Sequence, residues 1–127
     1  MTFRGTGMSG FAKGKAFVID RVSSFGEIPE GSIVVADKIA LEESAAIDFT
    51  RVVGIVVEED PEGGAVLLGR GMGIPAIVGG AGCRRGIVTG DLMLIQKFDV
   101  IVTPDLAAMN RFEALRFAAD SQLSLDL

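Results

Sequence analysis

A series of short apolar runs, each closed off by glycine, proline or a charged residue, constrains this chain most. They are Ala16–Ile19, Ile33–Ala36, Val52–Val57, Ala76–Val78, Leu92–Ile95 and Val100–Val102. Each is strand-length rather than helix-length, and β-branched residues dominate several of them. Val52–Val57 holds no polar side chain, the pattern of a strand covered on both faces. With 127 residues and 49% apolar content, the chain can bury such strands in one domain without disulfides or a metal. The sequence predicts strands over Gly10–Asp20, Ser32–Ala36, Val52–Val57 and Ala76–Val78. It also predicts a hairpin of Asp91–Gln96 with Asp99–Val102, turning near Lys97 and Phe98. Ser23–Gly26 through Gly31 reads as a loop ending in a turn.

Three helices complete the pattern. Leu41, Ala45 and Phe49 recur every four residues, which predicts a helix over Ala40–Thr50, with Glu42 and Glu43 suiting its N-terminal dipole. A short helix is expected over Gly64–Met72. The last helix has Thr103 as its expected cap, Pro104 at its first position and Asp105 favouring its dipole. Its apolar face is Ala108, Phe112, Leu115 and Ala119, with Glu113 and Arg116 toward solvent. The domain is expected to span residues 1–119, followed by a tail over 120–127. In that tail Leu123, Leu125 and Leu127 alternate with polar residues, as a frayed end or as a strand added to a sheet.

The net charge is −5, and Arg84-Arg85 is the only adjacent basic pair. Nucleic-acid binding through phosphate neutralisation is therefore not expected. The apolar runs are too short to cross a bilayer, and the opening MTFRGTGMSGFAKGKAF has no apolar core of signal-peptide length. A single cysteine, Cys83, allows no internal disulfide. A reducing, cytoplasmic setting is the simplest expectation. Cys83 precedes Arg84-Arg85, so it is either a packing residue or a thiol whose pKa falls if the arginines point at it.

The middle of the chain carries the chemistry. A buried strand, a glycine-bearing loop and a short helix form a common ligand-binding unit, because free amides at a helix start attract anions. Here that loop carries Glu58, Glu59, Asp60 and Glu62, which repel a phosphate. The acids read as a solvated turn that favours the helix start, or more remotely as ligands for Mg²⁺. Gly71-Met72-Gly73-Ile74-Pro75-Ala76 fits a dinucleotide fingerprint formally, but Pro75 stands where the required helix would run. Glycine there suits close packing of a helix on a sheet. From Val52 through Val78 there is no Ser, Thr, Cys, Tyr or His. Only a carboxylate, Asp60 or Glu62, could form an acyl phosphate on this loop. The chain contains no histidine at all, which excludes a histidine base and any Ser/His/Asp arrangement.

Several segments together resemble the mobile domain of phosphoenolpyruvate-utilising enzymes, such as enzyme I of the sugar phosphotransferase system, phosphoenolpyruvate synthase and pyruvate phosphate dikinase. They are Ser9–Ala16, Ser32–Ala36 with Ala40–Ile47, Val52–Val56, Gly69-Arg70, Gly73-Ile74-Pro75-Ala76-Ile77-Val78-Gly79, Gly90-Asp91-Leu92 and Val100–Pro104. The resemblance implies an α+β domain with the three-layer β/β/α swivelling phosphohistidine fold. It implies a carrier that takes a phosphoryl group onto a histidine at one site and delivers it at another. Counting along the loop, the histidine position falls on Gly64 or Ala65, and Arg70 matches the family's arginine.

The expectation is a domain of this family without the phospho-acceptor, acting as a non-catalytic docking or regulatory module. Its expected binding residues are Glu59, Asp60, Glu62, Gly63, Gly64 and Arg70. Its partner would be a phosphoenolpyruvate-binding barrel or a phosphocarrier protein, with phosphoenolpyruvate and Mg²⁺ entering only through that partner. The alternatives are a subunit or fragment of a split phosphoenolpyruvate-dependent phosphotransferase, or a structural assembly component; a homo-oligomer is among the expected partners.

Overall fold

A computed structural model describes residues 1–19 and 28–125 of the chain. The strands are β1 (Thr2–Arg4), β2 (Thr6–Met8), β3 (Gly10–Val18), β4 (Ser32–Ala36), β5 (Val52–Val57), β6 (Ala76–Val78), β7 (Leu92–Lys97) and β8 (Asp99–Val102). The helices are α1 (Leu41–Ser44), α2 (Gly64–Met72) and α3 (Leu106–Leu125). β3, β4, β5 and β6 run parallel, in that order. β7 and then β8 continue antiparallel beyond β3. β1 pairs antiparallel with β8, and β2 pairs antiparallel with β6.

That order puts β1 and β2 at opposite ends of an eight-stranded sheet, yet one residue, Gly5, joins them. The sheet therefore wraps round until its ends meet. At the seam the Gly5 N–H donates to the Phe98 carbonyl at 3.0 Å. A Cβ at Gly5 would lie 2.4 Å from the Val78 carbonyl oxygen, closer than any side chain tolerates. The seam lies in β1 and β2, two strands that the apolar runs did not predict. They are three residues long and mostly exposed, so no apolar alternation marks them.

Wrapping the sheet creates two cores. Inside lie Ile33, Val35, Val56, Ile77, Met93, Ile95 and Val100, all essentially inaccessible. Outside, Val34, Ala36, Ile55, Val57 and Ala65 form a second core that α2 helps to cover. Alternate residues of β4 thus point into different cores, and all five are buried. This is the physical origin of the unbroken apolar runs. α2 approaches the sheet closely at Gly69, where a Cβ would lie 2.7 Å from that of Ala76. The predicted close packing is present, and α2 ends at Gly73, before Pro75.

Three local expectations are corrected. The helix expected over Ala40–Thr50 is only Leu41–Ser44, followed by a separate 3-10 turn at Phe49–Arg51. The chain already turns after Ser44, and the Asp48 side chain, which accepts from the Thr50 N–H, starts the separate 3-10 turn. The cap of α3 is Asp105, whose carboxylate accepts from the Ala108 N–H at 2.8 Å. Thr103 instead sits at φ 49° with its hydroxyl donating to the Val102 carbonyl. On the expected apolar face of α3 only Phe112 is fully buried, and Leu115 remains 38% exposed. Phe112 is the plug that holds α3, its ring edge-on to Phe11 with centroids 5.9 Å apart. Arg116 lies over that ring, 5.8 Å from its centroid, and Glu113 receives Lys13 at 3.0 Å.

α3 continues across Ala119, so Leu123 and Leu125 are helical rather than part of a strand. Leu127, Asp20 and the loop expected at Ser23–Gly26 lie outside the described residues. No described helix is long and apolar enough to cross a membrane.

Candidate functional site

The parallel strands β3 to β6 deliver their carboxyl ends to one edge of the sheet, where ligands of parallel α/β sheets commonly sit. The acidic loop leaves β5 at this edge. Its start is stitched to the end of β4, because the N–H groups of Glu58 and Glu59 both donate to the Asp37 carbonyl at 3.0 Å. Glu58 then turns toward the β6–β7 connection and pairs with Arg84, Nε to Oε1 3.2 Å. Sequence reasoning missed Arg84 as a site residue, since nothing local links positions 26 apart.

Asp60 is the centre of the loop. Its carbonyl accepts from the Gly63 N–H at 3.0 Å, which closes a tight turn. Gly63 takes the left-handed conformation at φ 71° and opens α2. The Asp60 carboxylate reaches over this turn to the first amides of the helix. Oδ1 accepts from the Ala65 N–H at 2.9 Å and Oδ2 from the Val66 N–H at 3.1 Å. These donors are the positive end of the helix dipole, the place where an external anion would be held. The chain fills it with its own carboxylate.

The other predicted residues are spread out. Glu59 and Glu62 are exposed, and Glu62 lines a small cavity of about 130 Å³ with Lys38, Ile39, Glu42, Asp60 and Pro61. Lys38, two residues past the end of β4, brings a cation among these acids. Gly64 is buried, and Ala65 is fully inaccessible in the outer core. Both positions to which counting assigns the family's histidine thus face inward. Arg70 is exposed in the last turn of α2, about 9 Å along the axis from Gly64 at 1.5 Å per residue. The helix separates it from the Asp60 turn.

Cys83 is half-buried, its Sγ 3.8 Å from the Val57 carbonyl oxygen. Burial raises its pKa above the ordinary thiol range, and the Glu58 charge adds to this. The lowering expected from the arginines is present but weaker, because Arg84 is turned to Glu58. The thiol is held protonated, the opposite of an activated nucleophile.

This arrangement makes Asp60 a structural cap as well as a site residue. Asp60→Ala should lower stability by about 1–2 kcal/mol, the cost of losing a strong N-terminal cap. Glu59→Gln and Glu62→Gln should each change it by less than about 0.5 kcal/mol, as exposed substitutions do. Urea denaturation of the three variants measures the contrast. An Asp60→Ala variant as stable as the parent would refute the capping role.

Comparison with known proteins bears on the family and the fold. Residues 28–99 match the family described as PEP-utilising enzyme, mobile domain. A phosphoenolpyruvate-protein phosphotransferase of Haloferax volcanii is 33% identical over 79% of the chain. The chain spans only 19% of that relative's length. Among solved structures, an enzyme I protein determined by NMR superposes with a TM-score of 0.67 at 20% identity, over 76% of this chain and 40% of the other. Aconitase X of Thermococcus kodakaraensis superposes with a TM-score of 0.60 at 14% identity, over 80% of this chain and 98% of the other. These two likenesses concern the fold, an α+β domain like the N-terminal part of enzyme I. The family match covers more than half of the residues, and the strands, loop and helix it spans are those that build the site: the chain belongs to the mobile-domain family of phosphoenolpyruvate-utilising enzymes.

Proposed function

We propose that this domain is a docking or regulatory module of a phosphotransfer system and does not itself carry a phosphoryl group. The observation that supports the reading is Asp60. At the stage of the loop where the family's acceptor is expected, its carboxylate occupies the amides of Ala65 and Val66. No Ser, Thr, Cys, Tyr or His lies between Val52 and Val78 to accept the group instead. A carboxylate on those amides imitates the charge of a phosphorylated loop while leaving nothing to transfer. The partner would be a phosphoenolpyruvate-binding barrel or a phosphocarrier protein. It would meet Glu59 and Glu62, the exposed acids, while Asp60 holds the loop in shape.

Intact-mass measurement after incubation with phosphoenolpyruvate, Mg²⁺ and a cognate phosphotransferase tests this. The mass is expected to stay unchanged, while the domain binds that enzyme and the Glu59→Gln/Glu62→Gln double variant does not. A gain of one phosphoryl group would overturn the non-catalytic reading. Undiminished binding by the double variant would overturn the charge mimicry.

A second reading rests on the 19% of the Haloferax relative's length that the chain spans. On that reading the domain is one part of a divided phosphotransferase whose acceptor lies on another polypeptide. Transfer to a co-purifying subunit that requires this domain would favour it.

A further inference from the structure

The turn over residues 81–86, between β6 and β7, joins two arginines to backbone donors that find no acceptor among the described residues. Gly80 and Gly82 have φ of 92° and 80°, whereas Ala81 and Cys83 do not have positive φ. Alternation of this kind gathers successive amides on one side of the chain, as in the backbone nests that hold anions. The N–H groups of Cys83, Arg85 and Ile87 close the turn onto the carbonyls of Gly80, Gly82 and Arg84, each at 3.1 Å. Those of Ala81, Gly82 and Gly86 donate to no acceptor among the described residues.

A cavity of about 460 Å³ opens beside this turn, lined by Val18, Glu58, Gly82, Arg84, Arg85 and Ile87. Glu58 would oppose an anion there, but Arg84 neutralises it at 3.2 Å. Arg85 is exposed and forms no ion pair among the described residues. It lies against Gly82, since a Cβ on that glycine would be 3.7 Å from its Nε. Among the described residues that line it, the cavity therefore presents a guanidinium with no ion pair and an adjacent amide with no acceptor.

We propose that this cavity binds a phosphate group, free or on a small metabolite, held between the Arg85 guanidinium and the Gly82 N–H. Arginine suits the role because its planar fork matches phosphate oxygens in pairs. The site is separate from Asp60 and the start of α2, where the dipole end is already occupied. It does not depend on whether the acidic loop docks a partner.

Titration of the ¹⁵N-labelled protein with inorganic phosphate and with glycerol phosphate, at constant ionic strength, tests the proposal. Saturable shifts are expected at the Gly82, Arg85 and Gly86 amides. Arg85→Gln should weaken binding by about tenfold, the weight of one charge-assisted contact. Arg85→Lys should recover part of the affinity, and Glu62→Gln should leave it unchanged. Tighter binding of the ester would identify a metabolite as the source, and tighter binding of inorganic phosphate the free ion. Absence of saturation, shifts centred on Ala65 and Val66, or an unaltered titration of Arg85→Gln would each overturn the proposal. Because Arg85 is exposed, none of these variants should unfold the domain, and unchanged chemical shifts elsewhere check this.

Discussion

Replacing Phe112 by alanine is expected to destabilise the domain by about 3–5 kcal/mol, the range for removing a fully buried aromatic side chain. Phe112 is the one residue of α3 among the described side chains with no accessible surface. Its ring meets Phe11 edge-on and supports the Arg116 guanidinium, so both contacts are lost together. The rest of the helix offers little to replace it, since Leu106 and Phe117 are each 74% exposed. The Lys13–Glu113 pair is solvated at both ends and contributes about 1 kcal/mol at most. Urea denaturation gives the size of the effect. Hydrogen exchange gives its place, because the α3 amides should lose protection before those of β5. A loss below about 1 kcal/mol, with α3 still protected, would mean that contacts other than the plug hold the helix.

The second large effect is expected at the seam. Gly5→Ala adds a Cβ 2.4 Å from the Val78 carbonyl oxygen and 2.6 Å from the Ile77 Cγ2. The backbone atom cannot turn away as a side chain can. Either β1 leaves β8 or β2 leaves β6. Overpacking of this kind costs about 1–3 kcal/mol, and a backbone clash belongs at the upper end. Amide exchange should accelerate at Gly5, whose N–H bonds Phe98, and along β2 opposite Ala76–Val78. The interior strands β4 and β5 should stay protected. Full retention of exchange protection at β2 would show that the seam absorbs the methyl group and that closure is looser than the contact distances imply.

Legibility along the chain followed burial. β4, β5, β6 and α2 have the boundaries that the residue pattern predicts: the three strands are short, uninterrupted apolar stretches, and α2 packs on the sheet through Ala65 and Gly69 between glycine-bearing ends. Where burial is partial the pattern misled. The periodicity of Leu41, Ala45 and Phe49 suggested a long helix, although α1 stops at Ser44 and the hydrogen bond from Thr50 to Asp48 starts a separate turn. Likewise the apolar face of α3 was real in sequence, while only one of its residues is plugged into the sheet.

The candidate site divides in the same way. The acids, the absent histidine and the family frame are all visible in the chain. The assignment of roles among the acids is not. Asp60 faces inward to two amides, Glu58 faces Arg84, and Glu59 and Glu62 remain for solvent. Four residues of one type within five positions carry no local signal that could sort them.

The sequence alone determined the strands covered on both faces, the short helix after the loop, the family, and the lack of any histidine to carry a phosphoryl group. Those properties are written in residue type and in short-range period, which one stretch of chain reports by itself. Tertiary structure alone decided how Gly5 closes the sheet, how Phe112 anchors α3, and how Asp60 and Arg84 dispose of the acidic charge. The seam, the plug and the Arg84 pair depend on partners 26 or more positions away. The Asp60 contacts are close in sequence, but which of the four acids turns back onto the Ala65 and Val66 amides is visible only in the folded loop.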